Sequence, residues 1–404
     1  MYKNNLNFER FDRHFQEFLR KGLVEQRNDS NGKTVYVTSD LTGAALLDAL
    51  KKARDTPKNL LWHKLLKPFP ILEFNFEITR RCQSHCIYCH IWQSQSTQDT
   101  ELSPDEIRSY LKPKELFAHV QSVGITGGEP TLRSDIVDVC QALKEVCPNA
   151  SLGFPTNCLS KNVVEIAERI RNEVDPTFHV GLSLDGFKEI NDFQRGTKGH
   201  YELVWETALQ LREAKIPFEF GSTLTKFNIN SACQFRNYLL EQGFAHSYDI
   251  VTESSHYYNN EGSAKNFALT KDDIGTLKKL RGKGMESNYR YFLPKYIENP
   301  RQLFKCFSGF ASFFLNCQGD VYPCIHLAKK FGNVREQSFS SLWLGDAARQ
   351  IRKSIHRKDC HCSTDCEMVH YKLLCYPGLI KQVEMLSEHL SPRAGRRKKQ
   401  QVII

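Results

Sequence analysis

Three cysteines stand close together with Cys-x3-Cys-x2-Cys spacing: Cys82, Cys86 and Cys89. Soft thiolates select iron-sulfur clusters or zinc, and a four-iron cluster held by only three of them keeps one iron open to an outside ligand. A structural zinc site is instead closed by a fourth protein ligand, and His85 or His90 is near enough in the chain to supply it. The triplet alone therefore leaves an open cluster and a closed zinc site as alternatives.

A second set, Cys306, Cys317, Cys324, Cys360, Cys362, Cys366 and Cys375, puts half of the fourteen cysteines in the last quarter of the chain. Such crowding points to metal ligation, and His326, His361 or His370 could complete a zinc site there. Cys140, Cys147 and Cys233 fall inside helical patterns and read as small buried residues. Among the polar segments, Gly127-Gly128-Glu129-Pro130 joins paired glycines, which let a backbone approach a ligand, to an acceptor for an ammonium group. Ser183 and Asp185, two apart in a strand pattern, share one face. Thr223, Thr225 and Glu253 are further strand-end candidates.

The elements that must position these residues follow from hydrophobic periodicity. Leu72, Phe74, Phe76 and Ile78 alternate with Glu73, Asn75 and Glu77, so a strand over 72–78 delivers the triplet into a loop. Ser103-Pro104-Asp105-Glu106 predicts a capped helix start. Further strands are expected near 120–126, 150–155, 178–184, 217–224 and 247–252, with helices near 135–146, 161–173, 201–214 and 230–242. Repeated β-then-α units imply an α/β fold with a parallel sheet and right-handed crossovers, whose ligands gather beyond the carboxyl ends of the strands. The cysteine triplet, Gly127–Pro130 and Ser183 with Asp185 all fall at such an end.

Ahead of this lies a smaller module. Phe8, Phe11, Phe15 and Phe18 mark one helix face, Thr34 to Thr38 a strand, and Leu41 to Ala53 another helix. Lys67-Pro68-Phe69-Pro70 is a natural boundary. The expected domains are 1–68, 69–300, 301–378 and a basic tail over 379–404.

The net charge of +9 is concentrated in that tail, where five of the 55 basic residues follow Ser391, leaving 50 against 46 acidic ones elsewhere. Such a balance is too weak to argue for a nucleic-acid partner. No run of about 18 apolar residues could span a bilayer, and the first residues lack a secretory pattern, so the expectation is a cytoplasmic protein without a membrane partner. Cysteines in such a reducing compartment are ligands or catalytic thiols rather than a disulfide framework.

The triplet with Tyr88 before its last cysteine, followed after one strand by Gly127-Gly128-Glu129-Pro130, resembles the radical S-adenosylmethionine (radical SAM) superfamily. Thr156 and Asn157 resemble that family's threonine-asparagine-glycine turn, with Cys158 in the glycine's place; Ser183 and Asp185 are similar to its cofactor-contacting strand, and Arg195 to the arginine that meets the cofactor carboxylate. The resemblance implies a partial (β/α)6 barrel and a 4Fe-4S cluster on Cys82, Cys86 and Cys89. S-adenosylmethionine would be held by Tyr88, Gly127, Gly128, Glu129, Pro130, Thr156, Asn157, Ser183, Asp185 and Arg195. It also implies a low-potential electron donor of flavodoxin or ferredoxin type, and reductive cleavage of the cofactor to a 5′-deoxyadenosyl radical that takes a hydrogen from the substrate.

Cys306-Phe-Ser-Gly309, Gly319-Asp320-Val321-Tyr322-Pro323-Cys324 and Gly332-Asn333-Val334 resemble the SPASM or Twitch extension, which binds auxiliary iron-sulfur clusters. One such cluster is expected on Cys306, Cys324, Cys362 and Cys366, with Cys317 and Cys360 as alternates. Two substrate classes follow: a peptide or protein, for which the amino-terminal module would be a leader reader or a helical cap, or a small molecule such as a sugar or nucleotide. RNA, resting on the tail, and a non-enzymatic iron-sulfur or zinc protein are the remaining readings.

Overall fold

The computed structural model describes residues 25–28, 34–37 and 63–362, apart from 113, 281–288 and 304. The chain divides into two compact units, Met1–Leu61 with Tyr371–Ile404, and Trp62–His370. In the first, β1 (Glu25–Asn28) pairs antiparallel with β2 (Thr34–Val37), a hairpin whose second strand matches the β-prone run in the sequence. The expected helices over Phe8–Phe18 and Leu41–Ala53 and the basic tail lie outside the described residues.

The second unit is built on a nine-stranded sheet. Strands β3 (Glu73–Thr79), β4 (Ser122–Gly127), β5 (Ser151–Thr156), β6 (His179–Ser183), β7 (Phe218–Leu224) and β8 (His246–Ile250) lie parallel in chain order. The six expected strands are thus present, and the sheet stays open, with β8 at one edge. On β3 the alternation sorts the side chains: Phe74 stacks on Phe313 at 4.6 Å and meets Phe117 edge-on at 6.2 Å, while Asn75 and Glu77 take the other face. Helices Ile136–Val146, Val163–Glu173, His200–Glu213 and Ile229–Glu241 return the chain between strands. The first buries Ile136, Val139, Cys140 and Leu143, one stripe at helical spacing.

Two features escaped the periodicity. Helix Lys188–Arg195 lies between β6 and the next helix, and its buried residues are Asn191, Gln194 and Arg195, so no apolar stripe announces it. The cysteine-rich extension also continues the sheet: β9 (Ser312–Leu315) pairs parallel with β3, and β10 (Asp320–Tyr322) and β11 (Gly332–Asn333) follow antiparallel. Among the described residues no helix is long and apolar enough to cross a membrane.

Candidate active site

The triplet leaves the carboxyl end of β3 as a loop with Cys82 and Cys86 buried and Cys89 half-buried. Short polar contacts shape it. Ser84 Oγ lies 3.3 Å from Cys86 Sγ and donates to the Arg195 carbonyl at 3.1 Å, while Ile87 N donates to the Gln194 carbonyl at 2.9 Å. Burial pushes the Cys82 and Cys89 thiols up to about 12, and charge on Cys86 adds to both shifts. Thiolates in such a place need a cation among them, which cluster iron supplies; the donor set fits the group.

The Gly127–Pro130 segment serves this loop directly. A Cβ on Gly128 would stand 2.2 Å from the Arg81 carbonyl oxygen and 2.8 Å from Cys82 Cβ. The close approach foreseen for a ligand is therefore made first to the chain's own cysteine loop. Glu129 is buried, and Oε1 accepts from Thr131 N (3.2 Å), Thr131 Oγ1 (2.6 Å) and Thr156 Oγ1 (2.8 Å). Oε2 accepts only from Asn157 N at 2.7 Å, leaving that oxygen an acceptor position. Burial raises this carboxyl above its ordinary range, against the pull of those hydrogen bonds. Asn157 Nδ2 in turn donates to Cys82 Sγ at 3.8 Å. Cys158, in the glycine's place, takes φ 59°, the left-handed region, with its N–H on Thr156 Oγ1 at 3.0 Å.

At the ends of β6 and β7 a buried knot forms. Asp185 accepts from Tyr88 Oη at 2.8 Å, Arg195 Nη2 at 2.7 Å and Thr223 N at 2.8 Å. Burial alone would lower the Arg195 guanidinium, but Asp185, Tyr88 and Cys86 outweigh it and hold it above its ordinary value. Arg195 Nε is buried without a protein partner, a donor left over for an anionic ligand. Gly196, at φ 63°, ends the helix; a Cβ there would meet the His85 carbonyl at 2.3 Å. Ser183 is half-buried at the end of β6.

The sequence missed the 254–260 segment, which has no cysteine and no periodicity. Tyr257 packs against Cys82 and Phe314, with its hydroxyl on Thr126 Oγ1 and 3.4 Å from the Gly127 carbonyl. Tyr258 O accepts from His90 N at 2.8 Å, and Asn260 Nδ2 donates to Tyr88 O at 2.9 Å. His256 Nε2 lies 3.1 Å from the Cys324 carbonyl, and Ser254 Oγ donates to Ile325 O at 2.5 Å. One loop thus touches both cysteine sets. Glu77 was noted only as a strand residue; it is fully buried beside Arg80 at 2.9 Å, and burial pushes it up to about 7.

In the extension, Cys306, Cys324, Cys360 and Cys362 line one cavity of about 630 Å³, together with His326 and His361. The alternate ligand Cys317 is not there: it is buried on the far side of the turn, where Glu77, Ser96 and Glu101 surround its thiol. Cys366, Cys375 and His370 lie outside the described residues. Among the described residues no group of three His, Cys, Asp or Glu side chains is arranged to hold a single metal ion.

Residues 76–235 match the Radical SAM superfamily and residues 306–367 match SPASM, an iron-sulfur cluster-binding domain. The Fe-coproporphyrin III synthase of Methanosarcina barkeri (strain Fusaro / DSM 804) is 26% identical over 325 residues, 73% of this chain and 79% of that protein. The PqqA peptide cyclase of Rhizobium meliloti (strain 1021) is 25% identical over 315 residues, 73% and 78% of the two chains. The structure of anSMEcpe with bound AdoMet and the Cp18Cys peptide shares the fold, with a TM-score of 0.53 at 19% identity over 78% of this chain and 100% of that one. The cofactors of such a pairing are a 4Fe-4S cluster, S-adenosylmethionine and further iron-sulfur at the extension. With the three thiols, the Glu129 turn and the Arg195 knot gathered at one sheet edge, this chain belongs to the radical SAM superfamily and carries a SPASM extension.

Proposed function

We propose that this radical SAM enzyme modifies a peptide or protein. In this reading Cys82, Cys86 and Cys89 ligate the cluster, and Glu129 Oε2 and the Gly127–Gly128 backbone receive the cofactor's amino group. Arg195, held by Asp185 and Tyr88, turns its free Nε to the carboxylate. When bound, the cluster and S-adenosylmethionine supply a carbon radical that removes a hydrogen atom from the substrate. The chain's own task is to place that hydrogen and to exclude water.

The observation that carries the substrate class is the likeness to a PqqA peptide cyclase, together with the fold shared with a peptide-bound anSMEcpe. The auxiliary ligands in this reading are Cys306, Cys324, Cys362 and Cys366, with Cys360, which lines the cavity beside Cys306, Cys324 and Cys362, as the alternate. The likeness to an Fe-coproporphyrin III synthase keeps a small-molecule substrate as the second reading.

The test is deuterium transfer from size-fractionated extract of host cells grown on deuterated medium to the 5′-deoxyadenosine that the reduced, reconstituted enzyme releases. Label arriving from the peptide fraction alone is expected. Label from small molecules alone moves the assignment to the second reading.

A further inference from the structure

Helix Lys188–Arg195 has two very different sides. Its inner side closes on the cysteine loop through Gln194 O, Arg195 O and the packing of Gly196 on His85. Its outer side shows Phe193 to solvent at 51% exposure, and Phe227, 41% exposed, meets it edge-on at 5.3 Å. Phe267 extends the group at 6.3 Å from Phe227. Adjacent exposed rings with no apolar cover are a surface prepared for a partner, since aromatics are enriched in the centres of interfaces.

The charges beside the rings indicate the partner. Lys226 Nζ lies 5.2 Å over the Phe227 ring, and exposed Lys198 follows Gly196; among the described residues neither is ion-paired to a carboxylate. Of the acids on the helix, Asp192 is spent on the Gly199 and Tyr201 N–H groups, at 2.7 and 2.9 Å, and Glu189 is exposed. Rings flanked by free lysines favour an acidic partner and steer it at low salt. The patch is one residue away from backbone that touches the triplet loop. Small, transient interfaces are typical of electron-transfer encounters.

We propose that Phe193, Phe227, Lys198 and Lys226 form the docking surface for an acidic one-electron carrier protein. The carrier gives up one electron, and the cluster held by Cys82, Cys86 and Cys89 gains it; no proton or group moves. This inference rests on the proposed cluster assignment and adds the place where the electron enters.

The experiment compares reduction of the reconstituted full chain by reduced flavodoxin and by dithionite, followed through the cluster's absorbance and paramagnetic signal. The variants are Phe193→Ser with Phe227→Ser, and Lys198→Glu with Lys226→Glu. Each should be reduced by flavodoxin at least tenfold more slowly and bind it at least tenfold more weakly in calorimetry. Dithionite reduction, S-adenosylmethionine affinity and melting temperature should be unchanged, and the lysine pair should lose the salt dependence. Unchanged reduction by flavodoxin overturns the proposal. Equal slowing with both reductants, or weakened peptide-substrate binding with reduction intact, overturns it too and gives the patch to the fold or to the substrate. A wild-type protein that dithionite cannot reduce, or whose Cys86→Ala variant keeps the cluster signal, would instead undo the cluster assignment itself.

Discussion

Asp185 holds three donors at its buried carboxylate, Tyr88 Oη, Arg195 Nη2 and Thr223 N, so the site's charge balance rests on one side chain. In Asp185→Asn the shape survives while Arg195 loses its counter-charge. Removing one partner of a buried pair costs about 3 kcal/mol or more. The expected outcome is a lower melting temperature and a tenfold or larger rise in the S-adenosylmethionine Kd, read by calorimetry; an unchanged Kd would show that Arg195 does not meet the cofactor. A second residue-scale prediction concerns acid. His246 is pushed down to about 3, chiefly by burial and then by Arg236 and Arg290, with Nε2 at 2.8 Å from Ser222 Oγ. Folded His246 stays neutral while the unfolded ring takes a proton below its ordinary 6.5, so its stability contribution is complete above that value and lost as pH falls toward 3. At about 1.4 kcal/mol per pH unit this removes about 2 kcal/mol between pH 6.5 and 5. Buried His200, pushed down to about 4, acts in the same sense. Glu77, raised to about 7, acts in the opposite sense, its contribution falling as pH rises from 4.5 to 7. The urea midpoint should therefore be lower at pH 5 than at pH 7, and His246→Gln should flatten that difference.

At the scale of elements, the strand ends and the cysteine loop are held by backbone against backbone. Gly128→Ala sets a methyl 2.2 Å from a carbonyl oxygen that no rotamer can move. The cysteine loop must shift, and the reconstituted variant should hold less than half the iron of wild type, with far-ultraviolet circular dichroism intact. Full iron content would mean that the loop tolerates the shift. The capping box was legible: Glu106 N donates to Ser103 Oγ at 3.2 Å, and Ser103 N donates to Glu106 Oε2 at 2.9 Å. So were the six strands, because one face of each carries mostly apolar side chains, such as Val123 and Ile125 on β4 and Val180 and Leu182 on β6. Helix Lys188–Arg195 was not, since the face it buries is polar and belongs to the site. The turn at Thr156-Asn157 was legible by its residue types, whereas its φ of 59° at Cys158, which costs an L-residue about 1–2 kcal/mol, was visible only in the structure.

Across the molecule, the two cysteine sets were legible as sets because thiol spacing survives in the chain, but their connection was not. The 254–260 loop that joins them is polar and aromatic without a period, and its contacts with Tyr88, His90 and Gly127 on one side and Cys324 and Ile325 on the other are all long-range. The same loss of sequence signal hid the placing of Cys317 away from the cavity, which depends on the pairing of β9 with β3 and β10. A shared loop makes the two sites exchange free energy, and such coupling is reciprocal. Cys360→Ala, which alters the cavity of the extension, should therefore raise the S-adenosylmethionine Kd several-fold although the triplet is intact. In the wild type, bound S-adenosylmethionine should slow loss of auxiliary iron to a chelator by a comparable factor. His256→Ala, which removes the contact to Cys324 O, should reduce both effects together. If the Kd of the Cys360→Ala protein equals that of the wild type, the loop holds the two sites side by side without linking them.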